Sequence, residues 1–317
     1  MISFRYHIVS IVSVFLALAV GVALGGGPLK GTVDNTLVRQ VAHDRKVKTA
    51  LEAHISALRD GNTFTNTFAK TVAPTLIGGD LSGHVVDIVV LPDAQATDVS
   101  EIAGMIGTAG GSVGGTLRVD RGLVQVGKKQ LVDELGTQLQ QSASGVAIPA
   151  SAGAYERMGA LIGRAIGTTK EGGAHVDTTA GSILAGLSTA NLMSADGPLH
   201  RRGDLVVVVD GTDNSSPQAR KGTSEIVTAL ATAIDQQTRG VVVAGPADSA
   251  RAGGALATLR NDVTASREVS TVDSVGRSAA QVVVVMALAG QAAGKTGQYG
   301  AINAADGAMP GAHASTG

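Results

Sequence analysis

Asp204-Leu205-Val206-Val207-Val208-Val209-Asp210 decides the fold. Its apolar run offers no polar face, so it reads as a strand covered on both sides, as in a parallel sheet flanked by helices. Working outward, Ser216-Pro217 pairs an N-cap residue with Pro at the first helical position. Ile226, Leu230 and Ile234 then mark the buried face of a helix, and Gly240-Val241-Val242-Val243-Ala244-Gly245-Pro246 is the next strand. A helix around Ala255–Arg260 leads to a short strand at Val269-Ser270-Thr271-Val272. Upstream, Val85-Val86-Asp87-Ile88-Val89-Val90-Leu91 is a buried strand stopped by Pro92. Asp98 and Glu101 are spaced as a capping pair for a helix with Val99, Ile102 and Ile106 on one face. Gly110-Gly111 ends it, and Ser112 to Val119 is a second strand weakened by Gly114-Gly115.

Three further helices carry Leu131, Leu135 and Leu139; Met158, Leu161, Ile162 and Ala165; and Ile183, Leu184 and Leu187, which points to a helical insertion between Leu131 and Leu192. Val282–Val285 alone resembles a strand, but the turn-free length of Ser278 to Ala293 favours a buried helix. Strand–helix alternation predicts a doubly wound, mostly parallel α/β domain over residues 75–297, with four or five strands between Val85 and Val272. From Gln298 the chain turns to Gly, Ala and small polar residues, and 298–317 reads as a disordered tail.

The N-terminus has another character. Ile8 to Leu24 contains no charge, Asn, Gln or Pro. As a helix the run spans about 25 Å, near the short end for a hydrocarbon core of ~30 Å. Phe4 and Tyr6 sit where aromatic side chains favour the membrane interface. A cleaved secretory signal is the rival reading, with Gly21-Val22-Ala23 as the cleavage site. The run exceeds the usual signal core of ~7–15 residues, which favours an anchor over residues 1–28. Either way the soluble part is expected outside the cytoplasm, in the cell envelope. Lys30, Arg39, Arg45, Lys46, Lys48 and Arg59, against Asp34, Asp44 and Glu52, argue for the opposite orientation by the positive-inside rule. An N-terminal export-type signal usually dominates that bias.

After Gly25-Gly26-Gly27-Pro28, residues 29–74 read as a helical stalk. Thr32 to Leu58 lacks Pro and Gly, and Leu37, Val41, Leu51, Ile55 and Leu58 follow a coiled-coil-like spacing. Asp44 and Lys48 take the intervening seam positions. Phe64, Phe68 and Val72 continue an apolar row, Gly61-Asn62 marks a break, and Pro74 closes the helical region. A helix laying one face on its own domain satisfies the same spacing. The position beside the anchor favours a stalk that joins a homo-oligomer or a hetero-complex.

Composition removes several function classes. The net charge of −1 carries no polybasic footprint for nucleic acid. The absence of cysteine excludes disulfides, iron–sulfur clusters and thiolate metal sites. Aromatic residues are 2% and Trp is absent, so no aromatic platform for sugars or bases can be built. The 43 glycines show no collagen-like period.

Two stretches carry a family resemblance. Ile2-Ser3-Phe4-Arg5-Tyr6-His7-Ile8-Val9-Ser10, running to Gly25-Gly26-Gly27-Pro28-Leu29, looks like the opening of the actinobacterial MctB family. Val269-Ser270-Thr271-Val272-Asp273, through Ala287-Leu288-Ala289 to Gly297-Gln298-Tyr299-Gly300, is similar to that family's C-terminal signature. The resemblance covers about residues 1–300. It implies copper export across a mycobacterial-type envelope, with a proposed outer-membrane channel. Members called SteB in corynebacteria are linked to cell separation and the control of envelope hydrolases. The family brings no catalytic residue, and copper enters by this resemblance only.

The residues themselves offer copper little. Copper(I) wants thiolate or thioether ligands and copper(II) accepts imidazole. Met105, Met158, Met193 and Met286 are scattered, mostly on apolar helix faces where packing explains them. His7, His43, His54, His84, His175, His200 and His313 include no pair spaced i, i+4. His43 and His54 share a helix face but stand ~16 Å apart. An outer-membrane barrel needs ~10-residue alternating strands, which these short apolar strands are not. G-x-S-x-G, Walker A and G-x-G-x-x-G signatures are missing, and a non-enzymatic protein is expected. Asp93, Asp210, Asp213 and Asp273 fall near the carboxyl ends of strands, where open α/β sheets bind ligands. An aspartate there is more often a turn former or a cap.

Overall fold

The computed structural model describes residues 4–25 and 29–311. The Gly26–Pro28 part of the expected break, the first residues of the N-terminal motif and the last of the tail lie outside the described residues. The chain divides into two compact units, residues 1–64 and 65–317.

The first unit holds helix α1, Phe4–Gly25, and the start of α2, Leu29–Ile77. Arg5–Gly25 has a mean hydropathy of 2.6 and none of its apolar window is buried. Its 21 residues reach about 32 Å as a helix, long and apolar enough to cross a bilayer. The helix thus begins before Ile8 and is longer than the uncharged run. α2 runs through the Gly61-Asn62 pair without a break.

The second unit begins within α2. Its sheet strands are β1 (Val85–Val90), β2 (Ser112–Val119), β3 (Ala174–His175), β4 (Met193–Ala195), β5 (Arg201–Arg202), β6 (Leu205–Val209), β7 (Gly240–Ala244), β8 (Ser270–Val272) and β9 (Gln298–Tyr299). Seven of them form one sheet in the order β4-β2-β1-β6-β7-β8-β9, and β3 with β5 makes a small antiparallel ribbon. All neighbours in the main sheet are parallel except β4 on β2. The helices are α3 (Ala96–Thr108), α4 (Arg121–Val124), α5 (Lys129–Ser142), α6 (Ala154–Ile166), α7 (Thr178–Thr189), α8 (Pro217–Asp235), α9 (Ala255–Asn261), α10 (Ala265–Glu268) and α11 (Ser278–Ala292).

Side chains alternate across the strands, and both faces are covered. Val86, Ile88, Val90, Leu205, Val207, Val209 and Val242 pack with α3, α11 and Ala73, Ile77 and Leu81 at and after the end of α2. Val89, Val206, Val208, Val241 and Val243 pack with α5 to α9. This two-sided cover is why β1, β6 and β7 are continuous apolar runs. It also makes Ser278–Ala292 a helix buried nearly all round, with Val284, Val285 and Leu288 at 0% exposure.

Several local expectations are corrected. Pro74 does not close α2, which continues to Ile77; Ala73 and Ile77 are core residues, and their packing outweighs the backbone bond that Pro cannot donate. Asp98 does not cap α3. Gln95 holds the N-cap position without a side-chain bond, and Asp98 lies in the first turn. Glu101 instead accepts from Lys70 and Gln281, both at 2.6 Å, tying α3 to α2 and α11. Gly114-Gly115 permits a bulge in β2, where the register against β1 shifts between Val86 and Ile88. The stretch from Gln298 is not unstructured: β9 pairs with β8 through Thr271–Gln298 and Val272–Tyr299, and the chain is described to Gly311.

Candidate functional site

The winding of the sheet fixes where a ligand can sit. From β1 the chain steps outward to β2; from β6, on the other side of β1, it steps away through β7 to β8. The two loops leaving β1 and β6 therefore part at a topological switch point, the place where open α/β sheets bind ligands. A cavity of about 210 Å³ opens there, lined by Leu91, Pro92, Asp93, Arg121, Asp210, Gly211, Asp213, Ser215 and Val227 among others.

Backbone contacts hold its walls. Leu91 N donates to Val209 O at 2.9 Å and Asp210 N donates to Ala244 O at 2.8 Å. A Cβ on Gly211 would come within 2.3 Å of the Asp93 carbonyl carbon and 2.4 Å of Ala94 N. Only glycine lets the β6 loop cross so close to the β1 loop. Asp93 itself has φ of 64°, a left-handed conformation that Asp tolerates better than most residues.

The three aspartates here play different parts. Asp93 Oδ1 accepts from Arg121 Nη2 at 2.5 Å, on an exposed rim. Asp213 Oδ1 accepts from Ser215 N at 2.8 Å, shaping the turn before the Ser216 cap of α8. The expected cap is present: Ser216 Oγ accepts from Ala219 N at 3.4 Å, with Pro217 opening the helix. Asp210 accepts from Ser249 Oγ, whose oxygen also accepts from Leu256 N at 3.3 Å. Burial pushes the Asp210 carboxyl up to about 6, against the opposing Ser249 and Gly211 hydrogen bonds, and Asp213 adds like-charge repulsion. Chemically, the crevice offers a carboxyl that titrates near pH 6, an ion-paired rim and an apolar floor.

Asp273, the fourth strand-end aspartate, belongs to another structure. It is fully buried and paired with Arg260, whose Nη1 and Nη2 both lie 3.2 Å from Asp273 Oδ2. Arg260 also donates to Tyr299 O at 2.7 Å, to Ile302 O at 2.5 Å and to Thr271 Oγ1 at 2.8 Å. Ala301 N and Ile302 N donate to the Asp273 carboxylate at 2.8 and 3.2 Å. A Cβ on Gly300, at φ 136°, would fall 2.2 Å from Asp273 Oδ2. The Gln298-Tyr299-Gly300 stretch is thereby fastened over the end of β8.

A buried pair of aspartates lies at the opposite end of the strands. Asp87 and Asp204 are both fully buried. Gly203 N donates to Asp87 Oδ2 at 2.6 Å, Val85 N donates to Asp204 Oδ1 at 2.8 Å, and His84 Nδ1 is 2.6 Å from Asp204 Oδ2. Burial raises the Asp87 carboxyl well above its ordinary range, and the neighbouring Asp204 adds to the rise. The signal for this pair was a charged residue within one apolar run, Asp87 in β1, and another directly before the next, Asp204 ahead of β6.

Among the described residues, no three His, Cys, Asp or Glu side chains gather into a group able to hold a metal ion. His43 and His54 are exposed on α2. Met105, Met158 and Met193 are core residues. The seam residues Leu37, Val41, Leu51, Ile55 and Leu58 lie on α2 and are each 46–56% exposed.

Comparison with known proteins gives a consistent result. The family model described as "Copper transport outer membrane protein, MctB" matches residues 1–310. "Copper transporter MctB" of Mycobacterium tuberculosis (strain ATCC 25618 / H37Rv) is 28% identical over 299 residues, covering 91% of this chain and 92% of that protein. "Copper transporter MctB" of Mycobacterium leprae (strain TN) is 26% identical over 316 residues, covering 95% and 96%.

Proposed function

The chain belongs to the MctB family of copper transport outer membrane proteins, and from that premise we propose that it serves copper efflux across the cell envelope as an anchored, non-enzymatic member of an assembly. α1 is the anchor, and the α/β unit works outside the cytoplasm. The family match carries the copper assignment. The donor chemistry supports a role in assembly: with no cysteine in the chain, Met105, Met158 and Met193 in the core, and no group of three His, Cys, Asp or Glu side chains able to hold a metal among the described residues, copper is cargo that one chain does not chelate. Partners engage the exposed seam of α2, and the switch-point crevice is the place for a small polar ligand.

The same exposed seam favours a second reading, an envelope scaffold that relays between an inner-membrane partner and cell-wall hydrolases in cell separation. One experiment separates the two. A deletion strain is complemented with the wild type or with Leu51→Asp/Ile55→Asp, and both cell copper and chaining of daughter cells are scored. Copper accumulation corrected by the wild type supports the copper role. Chaining without a copper defect supports the scaffold instead.

A further inference from the structure

The seam of α2 carries a more specific message than that it is apolar. Leu37, Val41, Asp44, Lys48, Leu51, Ile55 and Leu58 follow alternating steps of four and three residues. In heptad terms Val41, Lys48 and Ile55 occupy a positions, and Leu37, Asp44, Leu51 and Leu58 occupy d positions. The five apolar members are about half exposed. β-branched residues at a with Leu at d are the preference of parallel two-stranded coils.

We propose that α2 pairs with α2 of a second copy of this chain, parallel and in register, over Leu37 to Leu58. The inference rests on the reading of this seam as an interface. Charge chooses the occupant. In knobs-into-holes packing each d side chain enters a hole formed by four residues of the facing helix. For Asp44 that hole consists of Val41, Asp44, Arg45 and Lys48 of the second copy. Each carboxylate is thus flanked by two cations, and the like-charged Asp44 across the seam is compensated. Within one chain Lys48 Nζ is 3.8 Å from Glu52, an exposed pair that holds it only weakly. Antiparallel self-pairing would also match Asp44 with Lys48, Leu37 with Ile55 and Val41 with Leu51. It would place the two α1 helices at opposite ends, whereas two chains anchored in one bilayer require them together.

The lack of native cysteine makes the test direct. Full-length Leu51→Cys in membranes forms a disulfide-linked dimer under mild oxidation, because facing d positions lie within the Cα separation a disulfide needs. Asp44→Lys in that background cuts the yield about tenfold, as the loss of one charge-matched layer implies. Asp44→Lys with both Arg45→Asp and Lys48→Asp, which inverts every charge of that layer, recovers it. Melting of the α/β unit is followed in every variant, and only variants with an unchanged transition are compared. A monomeric Leu51→Cys chain overturns the proposal. So does a failure of the charge swap to recover the cross-link, or preferential linkage of Leu37→Cys to Ile55→Cys in co-expressed chains, the antiparallel result. The copper phenotype is a separate readout: an intact cross-link together with a deletion strain that accumulates no copper sinks the copper reading and leaves the pairing.

Discussion

Asp210 and Asp273 follow strands β6 and β8, which flank β7 in the same sheet. Asp210 lines an open cavity and takes a single side-chain hydrogen bond, from Ser249, with no cation among the described residues paired to it. Asp273 is sealed by Arg260 and by residues 299–302 folding back over β8. The difference lies in what the chain does afterwards. Where a distant segment returns across a strand end, the carboxylate becomes a fastener. Where the flanking loops part, it remains available to a ligand.

The largest expected effect breaks the fastener. Arg260→Ala leaves a buried carboxylate without its cation, and removing one partner of such a pair costs about 3–5 kcal/mol. Thermal melting should show a fall of many degrees, and amide exchange should accelerate over residues 298–302. An unchanged melting point would mean that the C-terminal segment is held by other contacts.

A smaller effect is expected at Asp210. Its folded-state pKa, raised to about 6, lies above the unfolded value of ~3.9. Stability associated with the protonated form is therefore fully present below about pH 4 and is lost as the pH rises through about 6. Because Asp210 is only half-buried, screening reduces the loss to about 1–2 kcal/mol. Asp210→Asn keeps the Ser249 hydrogen bond and should flatten the stability profile across that window, raising stability at pH 7. A variant that is less stable at pH 7 would show that the carboxylate is better paired than its contacts indicate.

The rim pair is weaker still. Arg121 and Asp93 have side chains 73% and 42% exposed, so Arg121→Ala should move stability by no more than about 1 kcal/mol. It should still alter the binding of any anionic ligand to the crevice, as measured by calorimetry. Least of all should Leu51→Asp/Ile55→Asp affect the α/β unit: its melting transition should stay within experimental error while cross-linking to a partner is abolished. A lost transition would place the seam in the domain's own stability.

The comparison also shows which parts of the molecule were legible beforehand. β1, β6 and β7 declare themselves because two-sided burial removes every polar position but Asp87. α11 is legible through its length, even with four consecutive valines. β4 and β9 are not: Met193–Ala195 and Gln298–Tyr299 lack the β-branched residues that betray the equally short β8, and they form at the two edges of the sheet. Asp93, Asp210 and Asp213 were legible as strand-end carboxylates from the apolar runs that precede them, but the strand order that brings them together was not. Arg121 and Ser249 reach them from separate elements, which spacing does not reveal. Asp273 resembled the other three because its partners, Arg260 and residues 299–302, meet it only in the folded chain. The C-terminal stretch read as disordered for the same reason: its small residues lack an apolar pattern, and its order comes from Asp273 and Arg260.

The central proposal is that this copper-family protein acts through assembly and holds no copper site within one chain. Equilibrium dialysis of the purified full-length protein in detergent, under reducing and oxidising conditions, tests it most directly. The account predicts copper binding weaker than about 1 μM and without fixed stoichiometry. A one-to-one complex per chain that survives dialysis against a chelator would contradict it.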